Sequence, residues 1–397
     1  MAAIFAARQG ARVVLLERTA DGGRKILISG GGRCNILPRA IEPERFVSES
    51  PILVRRLLRT WPLVGQREFF ERDLGIPLKL EEEAGKYFPV SDRARDVRDA
   101  LVSAARAAGV DSRFNTRVTG LSMEAGSSDP ASPAWRVETA DAPIDAAAVI
   151  LASGGRSVPA TGSDGALFEI VRGLGHTVHP TYPALTPLVS DPPVHVGLAG
   201  ISLPVRIRAK WRDREAEAQG GFLFTHRGYS GPSVLDVPHV AVQSLAAGEE
   251  RAVLRVRWSE LDREAWLSIL EAHGGLVLSA VSRRLPGRLA ERLLTESGIP
   301  PDRKASELRK TERNGLVDRL TSYELPWSGD EGFKKAEVTG GGVALDEIDT
   351  RTLESRRCPG LFLCGEILDA FGPIGGHNFA WAWATGRLAG TAAATHN

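Results

Sequence analysis

Paired cysteines are missing from this chain. It has three in 397 residues, Cys34, Cys358 and Cys364, and no CxxC spacing. That argues against a disulfide framework, a zinc centre and a redox-active dithiol. An excess of one charge is missing too. Lys and Arg number 50 against 49 Asp and Glu, a formal net charge of +1, so no global field draws the chain toward nucleic acid or membrane. No apolar run reaches the roughly 18 residues that argue for a membrane span. The opening MAAIFAARQGARVVLLER has neither a basic n-region nor a cleavage site, so it reads as a helix and a strand rather than a signal peptide. The expected location is cytoplasmic, and no membrane partner is expected.

What is present is ordinary globular composition, 43% hydrophobic and 25% charged, in a chain long enough for two or three domains. Residues 1–9 suit a helix stopped by Gly10. Residues 12–16 (RVVLL) suit a buried parallel strand ending at Glu17. In a dinucleotide-binding fold such an acid bonds the adenosine ribose, ~20 residues after a Gly-rich loop. Counting back from Glu17 runs past Met1, so the first strand and its GxGxxG loop are expected to be absent.

Three consecutive glycines, Gly30, Gly31 and Gly32, precede Arg33, Cys34 and Asn35. They imply close backbone approach to a flat ligand or, in the bland reading, a flexible surface loop. Residues 43–110 suit helix for the most part. Strands are expected at 111–118 and 135–139, with a Gly/Ser/Pro-rich hairpin loop at 125–133. A further buried strand, 147–151, enters ASGGRS with Gly154 and Gly155. Prolines 183, 187, 192 and 193 mark a linker. Residues 195–258 alternate like the strands of a small β-barrel, and 261–322 are helical with three breaks. At 337–343 (EVTGGGV) α/β character returns.

The end of the chain is the most informative part. Residues 361–390 read LFLCGEILDAFGPIGGHNFAWAWATGRLAG. An apolar strand runs into Gly365 and Glu366. A Pro/Gly-rich turn follows, then a helix beginning near Gly375, Gly376, His377 and Asn378. Free N–H groups and the dipole at such a helix start favour anions, and the acid at the strand end suits sugar or ribityl hydroxyls. The combination points to a flavin rather than a bare nucleotide.

Together these segments resemble the BaiN-like (YhiN-like) flavoproteins, also labelled aminoacetone-oxidase-family FAD-binding enzymes. The resemblance is carried in order by GRKILISGGGRCN, GKYFPVSDRARDV, ILASGGRSVPATGSDG, GLGHTVHPTYPALTPL, FTHRGYSGP, EVTGGGV and the C-terminal segment. It implies an α/β fold: a glutathione-reductase-type, Rossmann-like FAD domain split by an inserted β-barrel plus helical subdomain. The implied parts are 1–188 and 336–397 for the FAD domain, 189–260 for the barrel and 261–335 for the helices. It also implies roles. Glu17 would hold the adenosine ribose, and residues 30–35 would line the flavin. Val118 would offer backbone contacts to the adenine. Gly154 and Gly155 would pack near the dinucleotide, and Gly365 and Glu366 would meet the ribityl and pyrophosphate. Gly375, Gly376 and Asn378 would lie under the isoalloxazine. NAD(P)H would be an external electron donor, since no nicotinamide domain is visible. Family members begin with the Gly-rich loop that this chain lacks.

Reduction of a polarised double bond needs a hydride and a proton donor. Cys34, His226 and His377 are the titratable candidates. Arg33 beside Cys34 would lower the thiol pKa, and Arg33 itself would anchor a substrate oxygen. The plain alternatives are a packing cysteine, a turn histidine and a helix cap. Lys25 reads equally as a solvated surface residue.

The strand VRIRAKWRDR places Arg206, Arg208, Lys210, Arg212 and Arg214 on one face, because side chains alternate along a strand. That face is either a phosphate-tracking stripe or a charge-guarded edge. Activities linked to the resembled family include oxidation of small amines, reduction of steroid-like double bonds and reduction of a uridine in ribosomal RNA. Three readings follow: an FAD-dependent reductase of a uridine in large ribosomal RNA, the same enzyme class acting on a small metabolite, and a truncated fragment unable to hold FAD.

Overall fold

The computed structural model describes residues 1–123, 135–248 and 250–396. The hairpin loop expected at 125–133 lies outside the described residues. In chain order, the elements that position the site are helix α1 (Ala2–Arg8), strand β1 (Val14–Leu16), helix α2 (Arg24–Ile28) and strand β2 (Asp111–Arg113). They continue with β3 (Val149–Leu151), β4 (Ser202–Trp211), β5 (Arg214–Phe224), β6 (Val253–Arg257), β7 (Val338–Val343), β8 (Leu361–Leu363) and helix α3 (His377–Ala393). The chain divides into two compact units, 1–182 with 337–397, and 183–336.

The first unit is α/β. β1 pairs with β2, and β8 with β3, each in parallel. Strands in a parallel sheet are apolar because both faces are covered, and VLL, VIL and LFL obey that rule. β8 is fully buried, whereas β1 is only partly so. α3 is the spine of this unit. Its Gly390 faces the start of α1 so closely that a Cβ would lie 2.2 Å from the Ala2 carbonyl oxygen. Glycine there lets the two helix backbones touch. Trp381 and Ala389 on α3 join the core with Leu361, Phe362 and Leu363. Within 43–110, expected to be helical for the most part, Lys86–Pro89 is a strand paired with Leu78–Glu81. The aromatic Tyr87 and Phe88 favour a strand, and the cross-strand ladder outweighs helical propensity.

The second unit is built on a seven-stranded sheet. Its centre is the β4–β5 hairpin, with β6 on the other edge of β4. Val205, Ile207 and Ala209 of β4 point inward and Arg206, Arg208 and Lys210 outward, as the alternation requires. Residues 261–322 supply helices Arg263–Ala272, Val277–Ser282, Gly287–Glu296 and Lys310–Thr321. Their apolar faces share one core with the sheet, including Trp258, Trp266, Leu289 and Leu316. Within the stretch expected to be all strand, residues 232–235 and 238–246 are helical. Each begins with a proline at its first position, where the missing N–H costs nothing. Val234, Val240, Ala241 and Val242 are then buried too completely for a one-sided strand.

Candidate cofactor site

Three strand ends and one short helix converge in the first unit. β8 leaves through Cys364 and the left-handed Gly365 (φ 78°) into Glu366. Glu366 Oε1 accepts from the Thr339 backbone N–H at 3.0 Å and from the Ser157 hydroxyl at 2.8 Å. Glu366 Oε2 accepts from the Lys25 ammonium at 2.7 Å, and that ammonium also donates to the Ser157 hydroxyl oxygen. Thr339, on β7, accepts through its hydroxyl oxygen from the backbone N–H groups of Arg156 at 2.7 Å and Ser157 at 3.2 Å. A Cβ on Gly155 would stand 2.3 Å from that oxygen and 2.8 Å from Glu366 Oε1, so glycine is what lets the chain after β3 approach. The open end of a parallel sheet is where α/β folds place ligands.

Glu17 ends β1. Its Oε1 accepts from the Thr19 backbone N–H at 2.7 Å and hydroxyl at 2.8 Å. Among the described residues its other oxygen has no hydrogen-bond partner, which leaves it able to accept from a ribose hydroxyl.

Gly30, Gly31 and Gly32 have φ of 55°, 67° and 85°, a left-handed run that side chains resist. They are exposed, and a Cβ on Gly31 would meet nothing within 4 Å. The glycines therefore serve the backbone turn and leave a bare backbone surface. That loop is brought against the start of α3, because a Cβ on Gly376 would lie 2.6 Å from the Leu37 carbonyl carbon and 3.0 Å from Asn35 O. Gly376 caps α3 without a side-chain hydrogen bond, leaving first-turn N–H groups for an anion. Asn378 does not face outward as a ligand contact. Its amide holds the preceding loop, accepting from Gly372 N and donating to Gly372 O, both at 2.9 Å. Val118 sits where the ladder between strands Val118–Met123 and Trp135–Thr139 shifts register.

Among the catalytic expectations, the lowered thiol pKa of Cys34 needs correction. Cys34 has 0% of its surface exposed, and burial pushes its thiol up to about 12. Arg33 does not lower it. The guanidinium turns away to pair with Glu81 and with Asp92 at 2.9 Å, and stacks over Phe88 at 4.1 Å. Those contacts also occupy the groups that were to anchor a substrate oxygen. His377 is 6% exposed, and burial lowers its pKa to about 4. Its Nδ1 lies 3.2 Å from the Ile374 carbonyl, so it is a neutral residue closing the turn before α3. His226 is exposed in the β-hairpin turn after β5, in the second unit.

Lys25 is not a solvated surface residue. It was marked only by the scarcity of lysine. Ser157 and Thr339 escaped sequence reasoning, although both lie inside the Gly-rich segments ASGGRS and EVTGGGV. The basic row on β4 stops at Lys210. The chain turns at Arg212 and Asp213, and Arg214 opposes Trp211 on β5, so Arg212 and Arg214 do not extend that face.

The HI0933-like protein Rossmann domain matches residues 1–392. A protein of Clostridium scindens named 3-dehydro-bile acid delta(4,6)-reductase is 33% identical over 99% of this chain and 96% of its own length. Two proteins named ribosomal RNA dihydrouridine synthase are similar as well. That of Escherichia coli is 31% identical over 96% of this chain and 92% of its own. That of Haemophilus influenzae is 29% identical with the same coverage, 96% and 92%. The chain belongs to the HI0933-like family of Rossmann-domain proteins.

Proposed function

We propose that this protein is an FAD-dependent oxidoreductase that reduces a carbon–carbon double bond, and that the bond belongs to a uridine of large-subunit ribosomal RNA. The observation that carries the cofactor reading is Glu366, held at a strand end by Lys25, Ser157 and Thr339 beside glycines that keep side chains out. The residues present fit FAD. Glu17 suits the adenosine ribose, with Val118 beside the adenine. Gly154, Gly155, Gly365 and Glu366 suit the ribityl and pyrophosphate. Gly30, Gly31 and Gly32, with Gly375 and Gly376 at the uncapped start of α3, suit the flavin ring. Bound FAD would supply the hydride. The protein orients cofactor and substrate and provides the proton. NAD(P)H is the external electron donor in this reading.

The RNA substrate is supported by the two relatives named as ribosomal RNA dihydrouridine synthases and by the outward row Arg206, Arg208 and Lys210, with Arg212 at the adjoining turn, as phosphate contacts. A second reading, reduction of a small unsaturated carbonyl compound, is favoured by the relative named as a bile acid reductase, which is as similar in sequence.

The test is direct. Purified protein supplied with FAD and NAD(P)H is mixed with a ribosomal RNA fragment and, separately, with an unsaturated ketosteroid. Gain of two hydrogens on uridine by mass spectrometry supports the first reading. Steroid reduction alone moves the assignment to the second, and absence of bound flavin absorption overturns both.

A further inference from the structure

The outer face of the second unit carries a groove of about 420 Å3. It is lined by Arg208, Lys210 and Trp211 of β4 and by Arg251 and Arg255, at and beside β6. A groove of that size is in the range of small-ligand sites. Among the described residues lining it, the one acid is Glu250.

The register sets like charges together on the β6 side, and on the β5 side it sets Lys210 against Glu215 and Arg208 against Glu217. Arg208 directly opposes Arg255, and Arg206 opposes Arg257. Like charges facing each other across a ladder destabilise a sheet. Part of the charge is answered. Arg208 pairs with Glu215 at 2.5 Å, Arg206 with Glu217 at 3.6 Å and Arg255 with Glu324 at 3.6 Å. Arg257 turns to the carbonyls of Ser259 and Leu261, both at 3.2 Å. Lys210 and Arg251 are exposed and have no carboxylate within 4 Å among the described residues.

The rim adds two features. Arg212 opens the two-residue β4–β5 turn with φ 55°, a conformation for which glycine is the usual occupant. An arginine held there is backbone strain at a candidate site. Its guanidinium lies 4.9 Å from the ring of Trp211, which packs in part against the core, and the Trp211 indole N–H is buried with no partner among the described residues.

From these observations we propose that the groove is a phosphodiester-binding site for single-stranded RNA. Lys210 and Arg251 contact backbone phosphates, and a base stacks at Trp211. Stacking on an aromatic ring accepts any base, so the site grips RNA without choosing the uridine. This rests on the RNA reading above and adds Arg251 and Trp211 to its contacts.

The test is fluorescence anisotropy of the full chain, with FAD added, against a labelled single-stranded RNA of mixed sequence, titrated at several salt concentrations. Lys210→Gln with Arg251→Gln should weaken binding at least tenfold and lower the salt slope by about 1.4, since each phosphate contact on a single strand contributes ~0.7. Trp211→Leu should weaken binding about tenfold while leaving the salt slope unchanged. Lys304→Gln with Lys310→Gln removes the same charge from exposed positions outside the groove and should change affinity less than about twofold. Equal losses in the groove pair and this control pair would overturn the site, as would unchanged affinity and slope in the groove pair. Flavin absorption is read in the same samples. Flavin without RNA binding removes the groove and leaves the cofactor reading intact, and RNA binding without flavin does the reverse.

Discussion

The Lys25 ammonium stands 2.7 Å from Glu366 Oε2, a pair that joins residues 341 positions apart in the chain. Their side chains are 29% and 17% exposed, so the pair is less screened than a surface ion pair. Lys25 comes from α2, a single turn that starts after the left-handed Gly23. Glu366 comes from the end of β8. The carboxylate thereby gains a fixed orientation before any ligand arrives.

Glu366→Gln keeps the size of the side chain and removes its charge. A charge-assisted hydrogen bond is worth ~1.5–3 kcal/mol, so FAD affinity should fall roughly 10- to 100-fold, measured by flavin fluorescence quenching. Lys25→Met leaves Glu366 without its cation and should lower both FAD affinity and the melting temperature of the protein. An unchanged affinity in both variants would remove Glu366 from the cofactor site.

Gly376→Ala places a methyl 2.6 Å from the Leu37 carbonyl carbon at φ 96°. Strain and overpacking together should cost roughly 2–4 kcal/mol, read as a lower denaturant midpoint. The displaced loop should also weaken FAD binding.

All three cysteines are buried, with thiol pKa values raised by desolvation, to about 12 for Cys34 and Cys364. Thiol-reactive dye at pH 8 should label none of them in the native protein and all of them in denaturant. Cys34→Ala should keep substrate turnover within about threefold, the expectation for a residue that supplies no proton. A loss of two orders of magnitude would restore the thiol as the acid.

Burial holds the His377 pKa at about 4 in the folded chain, below its ordinary 6.5. Between those values the unfolded chain binds a proton that the folded chain does not. Stability is therefore complete above pH 6.5 and declines as pH falls toward 4, by up to roughly 3 kcal/mol from this residue. His176, lowered mainly by burial, acts in the same direction. His377→Gln should flatten the decline in chemical denaturation measured from pH 7.5 to 4.5. An unchanged slope would exclude His377 as its main source.

Contiguous residues alone determined a good deal. The alternation in residues 205–210 forecast which side chains β4 buries, because period two is a property of any strand. The apolar triplets that precede Glu17 and Glu366 forecast the parallel strands, because that demand is local. The helices at 232–246 were misread because valine favours strands until burial on several sides outweighs that preference.

Tertiary structure decided whatever depends on a partner distant in sequence. Arg33 is adjacent to Cys34 in the chain, yet Glu81 and Asp92 take its charge and the core takes the thiol. Lys25 looked solvated until the fold carried it to Glu366 and Ser157. Arg208 gained Arg255 as its neighbour only when β6 returned beside β4. Charge, desolvation and proton affinity are set by what surrounds a group in space, and the sequence orders its residues along a line.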